Sequence, residues 1–420
     1  MDKFVIEGPS KIRGKVKISG SKNSSLPILA STLLFNQPVR IKNLPKVKDI
    51  NTMISLLKSL GSKVVLSSDK RTAKIYNQKK LKTFASYSLV KTMRGSILVL
   101  GPLIAKYFKS KISLPGGCLI GARPINYHLD ALQKLGMNYI LKDGYILAKS
   151  KGKLKGTTIK FPKISVGATE NTIIASCLAK GTTTLKNCAI EPEIKDLTNF
   201  LNSAGAKITW KGRICKITGV SSLNKTNYSV MPDRIEAGTF CVAATVSRGN
   251  LDILNFDGRV IKAELDLLKK FGAKIKVNKK KISIKGPKIL KSIKNIKTKE
   301  YPGVPTDMQS QLMVLMCKAN GKSSITENIF ENRFMHVGEL RRLGAKINVV
   351  KNKATIQGNT KFVGAELMSS DLRASVSLVL AAIASKGKSL INRIYHLDRG
   401  YENIENKLRK IGVKIKRLRQ

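Results

Sequence analysis

The chain has 420 residues, 42% of them hydrophobic and 5% aromatic, with a formal charge of +52 at pH 7. That length allows two or three domains with real cores, and the apolar content excludes a disordered chain. Six cysteines and three histidines are scattered with no zinc-like or paired spacing, which predicts reduced thiols and no structural metal.

No stretch is apolar for the roughly 20 residues that a membrane span needs, and the N-terminal residues lack an apolar signal core. A cytoplasmic protein with no membrane partner is expected. The lysines are spread along the whole chain, not gathered into one stripe, and there is one Trp. Nucleic-acid binding usually concentrates cations and interleaves aromatics, so solvated lysine-rich faces are the simpler reading. Such a charge still speeds encounter with small polyanions.

In chain order, a first apolar helix opens at Ser21-Lys22-Asn23-Ser24-Ser25, and a helix stop and strand follow at Leu60-Gly61-Ser62-Lys63-Val64. A second opening reads Lys91-Thr92-Met93-Arg94-Gly95-Ser96. Then comes Leu114-Pro115-Gly116-Gly117-Cys118-Leu119-Ile120-Gly121-Ala122-Arg123-Pro124, a lone thiol on a glycine-rich loop with a guanidinium five residues on. A nearby cation favours the thiolate and so makes the sulfur a better acid or nucleophile. A surface turn with an incidental cysteine is the alternative.

Leu135-Gly136, Ala204-Gly205, Phe271-Gly272, Leu343-Gly344 and Ile411-Gly412 repeat the stop, with 67 to 75 residues between successive glycines. Six such signals predict six units of about 70 residues, each ending a helix on a left-handed glycine before a strand. Asn171–Ala179, Gln311–Cys317 and Ala374–Ala384 are apolar or small nearly all round, so they must be interior helices. Ala263–Lys270 is amphipathic and belongs outside. Two groups of three units, each with interior helices wrapped by sheets, satisfy this pattern.

The remaining interior helices open at Ser165-Val166-Gly167-Ala168-Thr169-Glu170, Pro232-Asp233-Arg234-Ile235-Glu236, Pro305-Thr306-Asp307-Met308-Gln309 and Ser370-Asp371-Leu372-Arg373. Asp233 with Glu236 fits a capping box, Asp371 fits an N-cap, and Asp307 fits a cap before a helix starting at Met308. Capping does not account for Lys22, Arg94, Arg234 and Arg373, because a cation is unfavourable beside a positive helix end. Their repetition predicts an anionic ligand at these mouths.

These segments, with Glu191-Pro192-Glu193-Ile194, Phe330–His336 and Ile394–Tyr401, resemble in order and number the UDP-N-acetylglucosamine 1-carboxyvinyltransferases. They are the enolpyruvyl transferase family that opens peptidoglycan synthesis, and the resemblance covers essentially the whole chain. It implies an α/β fold, a two-domain inside-out α/β barrel with three units per domain and the active site in the cleft. The implied domains are 22–230, carrying the Cys loop, and 1–21 with 231–420. The implied reaction moves enolpyruvyl from phosphoenolpyruvate to the 3′-hydroxyl of UDP-N-acetylglucosamine through a tetrahedral ketal, with no cofactor or metal, in a cytoplasmic monomer.

By the same resemblance, Lys22, Asn23, Arg123 and Arg399 hold phosphoenolpyruvate, and Cys118 delivers a proton to its methylene carbon. Cys118 is also implied as the site of a phosphoenolpyruvate adduct and of fosfomycin alkylation. Asp307 is implied as the base for the 3′-hydroxyl. Arg94, Arg123, Lys163, Ser165, Val166, Asp307 and Ile329 are implied nucleotide-sugar contacts. Glu191, Asp233, Arg234, Arg333, Asp371 and Arg373 are implied supporting residues. His128 and His396 lie near matched segments and read as structural. Asn126, Tyr127 and Glu170 depart from the family pattern. The rivals are the shikimate-pathway transferase, which shares the build but lacks the Gly-Gly-Cys loop, and a basic nucleic-acid-binding array.

Overall fold

At all six stop glycines the backbone is left-handed: φ is +99° at Gly61, +106° at Gly136, +92° at Gly205, +106° at Gly272, +100° at Gly344 and +97° at Gly412. A Cβ is disfavoured there, so glycine ends each outer helix and turns the chain into a strand. Those helices are Lys48–Ser59, Asn126–Lys134, Pro192–Ser203, Lys262–Lys270, Val337–Arg342 and Ile404–Lys410. The computed structural model describes residues 2–116 and 125–419.

Among the described residues there are six sheets, each of four strands. Every sheet follows one pattern: an edge strand pairs in parallel with its neighbour, and the remaining two pairings are antiparallel. Thr182–Lys186 shows the consequence, with Leu185 on the buried face opposite Cys215 and its neighbours turned outward. Alternation of this kind fixes the register, because a slip by one residue would expose the apolar set.

The chain divides into two units, 2–19 with 232–419, and 20–116 with 125–231. Each has its own hydrophobic core. In the second, the core centres on helices Lys22–Ser31, Leu100–Tyr107 and Val166–Ser176. In the first, it centres on Arg234–Val246, Gln309–Lys318 and Leu372–Ala384. All 13 residues of Arg234–Val246 are buried, as a helix without a polar face requires. Among the described residues, no helix is long and apolar enough to cross a membrane.

Candidate functional site

The predicted polar openings of the interior helices are real N-caps in four cases. Ser21 accepts from the Ser24 N–H at 3.2 Å and Ser165 from the Ala168 N–H at 3.4 Å. Asp233 accepts from the N–H groups of Ile235 (2.9 Å) and Glu236 (3.0 Å), and Asp371 from those of Arg373 (2.9 Å) and Ala374 (3.1 Å). Each satisfies donors that the first helical turn leaves open. The expected capping box is not formed. Glu236 instead accepts from the Ser19 N–H at 2.8 Å and from Lys407 Nζ at 2.5 Å, since the Asp233 N–H already donates to the Ser19 carbonyl.

Asp307 is not a cap. It lies inside the 3-10 turn Thr306–Met308, whose flanking Pro305 has no capping side chain. Its carboxylate holds two guanidinium groups, with Arg333 Nη2 2.5 Å from one oxygen and Arg373 Nη2 2.7 Å from the other. Arg333 Nη1 is also 3.9 Å from Asp371. Arg373 is buried, which works against its charge, but Asp307, Tyr401 and Asp233 outweigh that and hold its pKa above the ordinary value. Asp233, Asp307, Arg333, Asp371 and Arg373 thus form one cluster of alternating charge.

Three residues with no role assigned from sequence complete this cluster. Arg373 Nη1 donates to Tyr401 Oη at 3.3 Å, and Tyr401 Oη lies 2.8 Å from Thr239 Oγ1. Burial pushes the Tyr401 phenol up to about 12, so it stays neutral and serves as acceptor and donor. Buried Glu327 accepts from Thr306 Oγ1 at 2.9 Å and from the Ile329 N–H at 2.8 Å, while Arg333 Nε donates to Thr306 at 3.2 Å. Glu327 therefore ties Ile329 to the Asp307 turn. A lone acid after a strand carries no sequence signal for that job.

The cations at the helix mouths have protein partners. Lys22 Nζ lies 3.2 Å from buried Asp49, Arg234 lies 3.9 Å from Glu264 and 5.7 Å from the Tyr301 ring, and Arg373 has Asp307. Carboxylates distant in sequence balance Lys22, Arg234 and Arg373, and an incoming anion would share or displace those pairs.

In the unit 20–116 with 125–231, a second constellation forms around His128. The Gly101 N–H donates to Asn171 Oδ1 at 2.8 Å, which fixes the amide orientation. Asn171 Nδ2 then donates to the Ile97 carbonyl at 3.1 Å and faces His128 Nδ1 at 3.2 Å. Nδ1 must accept, so the ring proton sits on Nε2. Burial first, and then Arg94, push the imidazole down to about 3. A Cβ on Gly167 would stand 3.1 Å from His128 Nε2, so glycine lets the ring lie against the start of helix Val166–Ser176.

Ser165, Val166 and His128 are in this way gathered at one helix start, a place that favours anions, and Arg94 is close enough to act on the His128 charge. Lys163 is exposed two residues before the cap, and Asn23 is partly buried at the start of helix Lys22–Ser31. Glu191 is buried and precedes helix Pro192–Ser203. Arg399 ends the 3-10 turn Ile394–Arg399 in the other unit and is partly exposed. Cys118 and Arg123, with the rest of 117–124, lie outside the described residues. Among the described cysteines, burial pushes Cys177, Cys188 and Cys317 up to about 12 and raises Cys215 and Cys241 as well. None of those five is poised for chemistry.

Residues 6–408 match the family model described as EPSP synthase (3-phosphoshikimate 1-carboxyvinyltransferase). The chain is 61% identical over 419 residues to the UDP-N-acetylglucosamine 1-carboxyvinyltransferase of Pelagibacter ubique, covering 100% of both chains. It is 49% identical over 421 residues to the enzyme of that name from Geobacter metallireducens, again covering 100% of both. Among solved structures, the enolpyruvyl transferase NikO from Streptomyces tendae superposes with a TM-score of 0.88 at 23% identity, over 99% of this chain and 98% of that one. The EPSP synthase of Acinetobacter baumannii gives 0.78 at 18% identity over 100% of each. Likeness at that identity establishes the fold alone.

Proposed function

The chain belongs to the UDP-N-acetylglucosamine 1-carboxyvinyltransferases, within the enolpyruvyl transferase family, and on that premise we propose how its residues divide the work. The reaction transfers the enolpyruvyl group of phosphoenolpyruvate to the 3′-hydroxyl of UDP-N-acetylglucosamine and releases phosphate, a step of peptidoglycan synthesis. The 3′-oxygen bonds to C2 of phosphoenolpyruvate while C3 takes a proton, giving a tetrahedral ketal. Loss of a C3 proton and of phosphate then restores the double bond.

Phosphoenolpyruvate carries a phosphate and a carboxylate on a very small frame. Lys22, Asn23, Arg123 and Arg399 hold it, with arginine suited to planar two-point contact. Cys118 supplies the proton to C3. Arg94, Arg123, Lys163, Ser165, Val166, Asp307 and Ile329 hold the nucleotide sugar, and Arg94 with the Ser165 helix start is the place suited to its diphosphate.

Asp307 accepts the 3′-hydroxyl proton. The observation that carries this role is the fork of Arg333 and Arg373 on its carboxylate. The fork fixes the carboxylate's direction, and each oxygen keeps a lone pair beyond its guanidinium contact with which to take the proton. Glu191, Asp233, Arg234, Arg333, Asp371 and Arg373 support this arrangement. The enzyme works in the cytoplasm as a monomer.

Phosphate release with phosphoenolpyruvate and either acceptor tests the reading. Release is expected with UDP-N-acetylglucosamine, and release only with shikimate 3-phosphate overturns it. Cys118→Ala is expected to lower turnover by about 10²- to 10⁴-fold, the usual worth of a general acid, and to abolish fosfomycin labelling. Full activity of that variant at neutral pH refutes the acid role. Cys118→Asp keeps appreciable activity, because a carboxyl also delivers a proton.

A further inference from the structure

The turn that carries Arg399 is held by a side chain from the far end of the chain. Arg417, on strand Lys414–Leu418, forks onto Asp398, with Nη2 2.5 Å from one oxygen and Nη1 3.3 Å from the other. The same guanidinium donates to Asp2 at 3.1 Å and lies 5.2 Å from the Phe4 ring centre. Glu405, on helix Ile404–Lys410, sits 3.1 Å from Nε, although that N–H makes no hydrogen bond to it. Three of the 26 acidic residues of a chain with charge +52 thus converge on one cation.

The geometry of a 3-10 turn makes this matter. With three residues per turn, consecutive side chains point about 120° apart. In the turn Ile394–Arg399, Leu397 is 1% exposed and anchored in the core. Asp398 is anchored on Arg417. Two of the three directions are therefore fixed, and the third belongs to Arg399. The exit is fixed as well: a Cβ on Gly400 would stand 2.6 Å from Leu372, so the backbone presses against the helix whose first turn holds Arg373.

We propose that Arg417 is a positioning residue that sets the direction of Arg399 through its fork on Asp398. This rests on the reading above that Arg399 binds phosphoenolpyruvate. Arg417 touches no substrate in this role. It acts by stopping the turn from rotating, which an interaction requiring close placement of two charges on a small ligand would feel strongly.

The test compares Asp398→Asn, Glu405→Gln, Arg417→Met and Arg399→Ala in the full-length enzyme, with KM measured for each substrate and thermal unfolding alongside. Asp398→Asn and Arg417→Met are expected to raise KM for phosphoenolpyruvate about 10- to 100-fold, the scale of an ångström-sized misplacement, and to change KM for UDP-N-acetylglucosamine less than about twofold. Glu405→Gln removes an Arg417 partner that is not on the turn, and is expected to cost stability without moving either KM. If Arg417→Met fails to fold, Asp398→Asn carries the test. Equal stability losses for Asp398→Asn and Glu405→Gln with KM for phosphoenolpyruvate unchanged, or both KM values rising together, overturn the proposal. If Arg399→Ala leaves KM for phosphoenolpyruvate unchanged, the reading of Arg399 fails instead.

Discussion

The two units bury the same kind of scaffold, three helices with three four-stranded sheets, yet the cluster around Asp307 in one and the cluster around Glu170 and His128 in the other treat buried charge in opposite ways. In the unit 2–19 with 232–419, Asp307, Arg333, Asp371 and Arg373 alternate in sign, so each buried charge is balanced by a neighbour. In the other unit, buried Glu170 faces Glu193 and Glu191, like charges that add to the effect of burial and raise its carboxyl well above the ordinary range. His128 nearby is driven the other way, to the neutral form. One region keeps charge by pairing it, and the other keeps polar groups by neutralising them. Both routes avoid an isolated buried ion.

The sharpest way to break this contrast is at Asp307. Asp307→Asn removes the acceptor for the 3′-hydroxyl proton and the charge between two guanidinium groups, and kcat is expected to fall about 10²- to 10⁴-fold. Steady-state phosphate release measures it, and a loss under tenfold denies Asp307 the role of base.

Arg373→Met comes next. Breaking a buried pair from one side typically costs about 3 kcal/mol or more, and here it also removes one of the two partners of the Tyr401 hydroxyl. Denaturant unfolding is expected to show that loss, and the double variant with Asp307→Asn is expected to recover part of it. If the two costs simply add, the pair does not interact as described.

A smaller effect tests what the units share. Gly136→Ala and Gly412→Ala place a Cβ at φ of +106° and +97° with no side-chain atom within 4 Å, so backbone strain dominates in both. Each is expected to cost about 1 kcal/mol, equal within error across the two units. A clear inequality would show that the repeat is not one structural device used twice.

The smallest effect sharpens the contrast through pH. A carboxyl whose folded pKa is raised binds its proton more tightly in the folded state. That stabilisation is fully present below about pH 4.5 and is lost as pH rises through the folded value. Glu170→Gln, which cannot ionise, is expected to gain stability over the parent as pH rises from 5 to 8. His128 and His336 contribute the reverse slope in both proteins. Their pKa values fall from 6.5 to about 3 and about 4, so the native state weakens as pH drops below about 6.5. A constant difference between Glu170→Gln and the parent across that range would mean that Glu170 is charged in the native state.

Much of this was legible in the sequence because it is local. A left-handed glycine, an all-apolar helix and an aspartate accepting from the next turn are each written within a few residues. The count of six units, the interior helices, the polar openings at Ser21 and Ser165 and the caps Asp233 and Asp371 follow from such signals. The charge pairs do not. Lys22 meets Asp49 across 27 positions and Arg373 meets Asp307 across 66, so nothing near either cation announces its partner. For the same reason Glu236 fits a capping box by spacing but turns to Ser19, 217 positions away. Tyr401, Thr239 and Asn171 matter only because the fold brings them to Arg373 and His128.

The pairing of the first strand has a consequence for biosynthesis. Lys3–Gly8 lies between Gly387–Asn392 and Lys414–Leu418, with Val5 opposite Leu390 on one side and Lys416 on the other. Strand Lys3–Gly8 therefore stays without its neighbours until Gly387–Asn392 and Lys414–Leu418 have been made. Residues 20–231 have no such dependence and are free to condense while the remainder is still being made. Completion of that sheet is thus tied to synthesis of Lys414–Leu418, which pairs along the free edge of the first strand.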